Sequence, residues 1–204
     1  IKNGSITIAG GRIKKIGRAE EVSEESAKTQ IDGRNKIVMP GLINPHCHIS
    51  YSLARGCGDD LPFLQWLPVV YKVEDGYTEE EWYLTSLLSM AEMIKSGTTC
   101  FADTNIFEEI SCVVKAVEES GIRGVLGKHI RDTTSEEQET AGSLKQVWRR
   151  EGMRSLSVKA ALEDYHRWSG TANDRLRVRL APAVWPICST ETYRQVAEVS
   201  KKIG

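Results

Sequence analysis

The chain has 204 residues, enough for one or two domains, and 27 basic side chains stand against 28 acidic ones. That balance gives no electrostatic footprint for nucleic acid or an anionic membrane, and no apolar run is long enough to span a bilayer. Five cysteines, Cys47, Cys57, Cys100, Cys112 and Cys188, are odd in number and lack paired spacing, which reads as reduced thiols in a cytoplasmic protein.

The chain opens on strand-like alternation at Ile1-Lys2-Asn3-Gly4, with no signal-peptide pattern. Ile6 and Ile8 alternate with polar neighbours, Gly10-Gly11 offers a tight turn and Ile13 and Ile16 lie in the returning segment, so a hairpin is expected. The charged stretch 18–28 reads as a solvated connection or short helix, and Asp32-Gly33 as a turn. From Met39 the pattern becomes strand then helix, repeated, as in a parallel sheet wrapped by helices.

Strand one is expected over Leu42 to His48, followed by a polar loop from Ser50 to Asp60 and a Trp66-Leu67 loop. Thr78 and Glu81 form a capping box for a helix with Tyr83, Leu87, Met90, Ala91 and Ile94 on its apolar face, closed by Gly97. Strand two is expected over Thr98 to Ala102, ending at Asp103. A helix then buries Ile110, Val113, Val114 and Val117 and stops at Gly121, leaving Gly124 to Gly127 as strand three. Two helices are expected between Thr133 and Ser169, one opening at Ser135 and one carrying Leu156, Leu162, Tyr165 and Trp168. Strand four is Arg177 to Ala181, and a last helix, Thr190 to Ile203, takes Ser189 as N-cap.

The chemistry concentrates at His46 and His48. Alternate side chains of a strand share a face, so both imidazoles project one way while Cys47 turns to the other. That geometry suits one metal ion, and imidazole accepts zinc, iron, nickel or copper, so the spacing proposes a site without naming the metal. The plain alternative is two satisfied polar residues at a strand end.

The chain resembles the amidohydrolase superfamily, in its branch of aminopurine, guanine and triazine deaminases and chlorohydrolases. The resemblance rests on Asp32-Gly33, the run from Met39-Pro40-Gly41 through Asn44-Pro45-His46-Cys47-His48, Arg55-Gly56, Asp59-Asp60-Leu61-Pro62 and Trp66-Leu67. It continues through Ser96-Gly97-Thr98-Thr99-Cys100-Phe101-Ala102-Asp103, Gly121-Ile122-Arg123, Ala181-Pro182 and Cys188-Ser189. It implies an α/β fold: a (β/α)8 TIM barrel represented by strands one to four over residues 39–204, with residues 1–38 as part of a small β-sandwich. Residues 39–204 fall short of the about 250 that such a barrel needs. The resemblance puts the other metal and catalytic groups on strands five, six and eight.

The resemblance further implies a metal-dependent hydrolase that binds one divalent ion, zinc first with iron as alternative, held by His46 and His48. The reaction would remove ammonia, an amine or halide from a purine, pyrimidine or triazine ring. Glu74, in Val73-Glu74-Asp75, matches a segment where deaminases of adenosine-like substrates place a glutamate on the ribose hydroxyls. Lys128 matches a basic position after strand three that in some relatives meets a substrate carboxylate; both are candidate substrate-binding residues with surface charge as the alternative. His129 is a further candidate at a strand end, whereas His166 reads as structural or exposed. Ala183 stands where adenosine-type relatives carry a histidine, which keeps triazine-like rings open. The expected partner is a small heterocycle, with self-association left open. The competing function class is a non-catalytic half-barrel whose open edges bind a partner or a second copy.

Overall fold

A computed structural model describes residues 1–22, 27–106, 110–132, 157–183 and 188–203. The chain forms two compact units, Ile1–Pro40 and Gly41–Gly204. In the first, β1 (Gly4–Ala9) and β2 (Arg12–Arg18) pair antiparallel, with Ile6 opposite Ile16 and Ile8 opposite Ile13. Gly10 and Gly11 have φ of 59° and 70°, the left-handed pair that a two-residue hairpin turn requires. Asp32 accepts the Arg34 backbone N–H at 3.0 Å and closes the turn expected there.

The second unit carries a four-stranded parallel sheet in the order β3 (Leu42–Cys47), β4 (Thr98–Ile106), β5 (Arg123–Ile130), β6 (Leu176–Pro182). Around it run α1 (Phe63–Asp75), α2 (Glu79–Lys95), α3 (Ser111–Ser120), α4 (Val158–Trp168) and α5 (Thr190–Ile203). Phe101, Leu126, Leu176 and Val178 from the sheet meet Met90 of α2 and Val113, Val114 and Val117 of α3 in one buried cluster. At the start of β3 a Cβ on Gly41 would collide with the Thr99 side chain, so only glycine lets the two strands begin side by side. β3 and β6 are the sheet's two edges among the described residues, and Leu42 and Ile43 on β3 are 50% and 69% exposed.

Several elements differ from the sequence reading. Phe63–Asp75 is a helix, and it takes in Trp66-Leu67, where the sequence suggests a loop. Trp66, Leu67, Val70, Tyr71 and Val73 pack around Ala54, and Pro68 lies inside the helix, where it deletes one backbone donor without ending it. β5 runs to Ile130, beyond the expected end at Gly127, because its polar residues Lys128 and His129 are themselves buried. In α2 the Thr78 and Glu81 capping box is present, but Ala91 and Ile94 are exposed and the buried face is Thr85, Ser86, Ser89 and Met90. α4 starts at Val158 with Ser157 as its cap; the helix expected at Ser135, and Leu156, lie outside the described residues. Ser189 caps α5 by accepting the Thr192 N–H at 3.1 Å. Among the described residues no helix is long and apolar enough to cross a membrane.

Candidate metal centre

β3 delivers His46 and His48 to its carboxyl end. Their ring centroids are 5.2 Å apart with planes at 80°, so the structure brings the two imidazoles together on one face. Cys47 between them turns into the helix-covered core, where its thiol donates to the Ala102 carbonyl at 3.4 Å. Burial, reinforced by the negative charge of Asp103, pushes that thiol up to about 12, which favours the protonated form. Burial and the neighbouring His46 hold the His48 imidazole below its ordinary value, which favours the neutral form that ligates metals. Its Nδ1 is buried with no hydrogen-bond partner among the described residues.

These two residues fit a divalent ion, since they set two imidazole nitrogen donors side by side at the strand's end. No group of three or more His, Cys, Asp or Glu side chains is placed to hold a metal among the described residues. As ligands, the pair would make up half of a tetrahedral set.

The turn after His48 is held with unusual thoroughness. Residues Ile49–Ser52 form one 3₁₀ turn, and hydroxyl groups from elsewhere capture its carbonyls. Ser89 donates to the Ile49 carbonyl at 2.8 Å, and Thr85 and Tyr77 donate to the Ser50 carbonyl at 3.0 and 3.2 Å. Thr85 also accepts the Leu53 N–H at 3.3 Å, and the Ser52 and Ser89 hydroxyls bond to each other. This is why the inner face of α2 is hydroxyl-rich. Hydrophobic periodicity carries no trace of such a face, though the Thr85, Ser86 and Ser89 spacing is visible as a polar stripe.

Glu74 and Lys128 occupy other places. Glu74 is 2% exposed and accepts the Ser50 hydroxyl at 2.5 Å, so its carboxylate reaches the same turn from α1. Lys128 lies inside β5, alternating with Gly127 and His129, and its Nζ is 3.1 Å from Asp164 of α4. It thus shares the helix-covered face with Leu126 and Ile130. His129 is buried opposite Ala181 on β6, Asp103 is 2% exposed within β4, and His166 is exposed on α4. A cavity of about 650 Å³ beside β3 is lined by His48, Tyr51, Trp66, Arg55 and Glu92 among others; Glu74 and Lys128 do not line it. Arg55 and Glu92 face each other there as a two-pronged ion pair at 2.9 and 2.8 Å.

Comparison with known proteins sets this geometry in a family. The sequence pattern of the amidohydrolase family matches residues 37–204, and the chain belongs to that family. It is 37% identical over 200 residues to the 5-methylthioadenosine/S-adenosylhomocysteine deaminase of Carboxydothermus hydrogenoformans, covering 98% of this chain and 42% of that protein. Its fold matches a triazine hydrolase variant with a TM-score of 0.83 at 19% identity, over 99% of this chain and 46% of the other. An adenosine deaminase from Xanthomonas campestris with bound zinc gives a TM-score of 0.71 at 19% identity, over 99% and 43%. The chain thus spans less than half the length of these relatives, and its four parallel strands are part of the barrel fold they share.

Proposed function

We propose that the intact protein is a metal-dependent hydrolase that removes an amino group from a nitrogen heterocycle, with an adenosine-like purine as the leading substrate class and a triazine as the alternative. The single observation that carries this is the paired imidazole of His46 and His48, 5.2 Å apart at the carboxyl end of the first parallel strand, where barrel enzymes assemble their sites. Deamination by the 37% identical relative supports the reaction class, and zinc in the Xanthomonas enzyme supports zinc over iron. When bound, the ion supplies Lewis acidity and a water activated near neutral pH. His46 and His48 hold it in their neutral forms, while Tyr51 and Trp66 give the adjoining cavity an apolar wall.

The remaining ligands belong, on this reading, to further barrel strands, which the exposed Leu42 and Ile43 on the β3 edge support. The 204-residue chain by itself turns over substrate negligibly. Five free cysteines support a cytoplasmic location. The test is ammonia release from a panel of aminopurine nucleosides and aminotriazines by the intact protein. Release that stops on chelation and returns with zinc is the expected result; no release from any member of the panel would overturn the proposal.

A further inference from the structure

We propose that Tyr51 is a positioning residue for the metal ligand His48, holding its imidazole by ring stacking where a hydrogen bond would ordinarily do so. The inference rests on the reading of His48 as a ligand. A metal-bound histidine normally has its second ring nitrogen fixed by a carboxylate, carbonyl or water, which sets the orientation of the ring. At His48 the Nδ1 atom is buried and meets no carboxylate or carbonyl among the described residues. What packs on the face of the ring then bears on its orientation.

The Tyr51 ring packs there, with centroids 5.1 Å apart and planes only 17° from parallel. The backbone produces this stack directly. His48 is the N-cap of the 3₁₀ turn, and its carbonyl accepts the Tyr51 N–H at 3.3 Å, which brings Tyr51 round to His48 within a single turn. The hydroxyls of Thr85, Ser89 and Tyr77 hold the carbonyls of the turn that carries Tyr51. On its own far side Tyr51 meets Trp66 of α1 edge-to-face at 5.8 Å and 79°. Tyr51, backed in turn by Trp66, thus fixes the plane of the His48 ring.

The test compares Tyr51→Phe, Tyr51→Met and Trp66→Leu in the intact protein, reading zinc affinity by competition with a chromophoric chelator and the visible spectrum of the cobalt(II) form. Tyr51→Phe keeps the ring and is expected to keep both the wild-type affinity and the cobalt spectrum. Tyr51→Met fills similar volume without a ring and is expected to lose about tenfold or more in affinity, with a changed spectrum. Trp66→Leu leaves the turn untouched and shifts both readouts in the same direction, which keeps the test decisive if Tyr51→Met does not fold. Wild-type affinity and spectrum in the folded ring-removing variants, or an equal loss in Tyr51→Phe, would overturn the inference. Failure of the wild-type protein to bind zinc would instead overturn the proposed function beneath it.

Discussion

Thr85→Val is the sharpest perturbation of the clamp behind His48. Valine keeps the volume of this fully buried side chain, so no cavity forms and only the hydroxyl is lost. That hydroxyl donates to the Ser50 carbonyl at 3.0 Å and accepts the Leu53 N–H at 3.3 Å. The Ser50 carbonyl retains the Tyr77 hydroxyl at 3.2 Å, so its share of the loss is one net hydrogen bond, about 1 kcal/mol. The weakened Leu53 donor adds a similar amount, giving a total of about 2 kcal/mol. Urea denaturation of wild type, Thr85→Val and Thr85→Ser reads this as a lowered midpoint at constant slope, with serine, which keeps the hydroxyl and loses one buried methyl, about 1 kcal/mol below wild type. A valine variant as stable as the serine variant would refute the assignment of the hydroxyl as a clamp.

Two further perturbations test neighbouring parts of the fold. Lys128→Met leaves the Asp164 carboxylate, whose side chain is 18% exposed, without its cation, and is expected to cost about 3 kcal/mol in denaturant unfolding. A variant of unchanged stability in which only the substrate KM rises would contradict this structural role and support the substrate-binding role that the family resemblance implies for Lys128. At Asp132, burial alone would raise the carboxyl, but hydrogen bonds from Ser189 and Thr192 overcome it and hold the group below its usual value. A depressed carboxylate stabilises above its unfolded pKa and loses that stabilisation as pH falls through the folded one. The advantage of wild type over Asp132→Ala is therefore expected to be about 1 kcal/mol and constant from pH 7 to about 5, then to shrink below about 4. An advantage independent of pH down to about 2 would contradict it.

The sequence announces some features because their physics is local. Gly10-Gly11 must turn the hairpin, Thr78 and Glu81 can only be a capping box, and an alternating strand puts His46 and His48 on one face. Other features depend on tertiary partners and leave weaker traces. Pro68 disguises α1, since a proline within an apolar run reads as a break until the packing of Trp66, Leu67 and Val70 outweighs one missing donor. Lys128 and His129 shorten the apparent strand three because burial of a charge depends on Asp164, 36 positions further along the chain. The serine and threonine face of α2 has meaning only beside the carbonyls of the turn at Ile49–Ser52, which no helical periodicity can foretell.

The most direct measurement is the metal content of the intact protein, purified without added chelator, beside its His46→Ala and His48→Ala variants. About one divalent ion per chain in the wild type, with marked loss in each folded variant, is the outcome that two ligands on one strand demand. Undiminished metal in both variants, or a wild-type protein that takes up none from a zinc-supplemented buffer, would contradict the account.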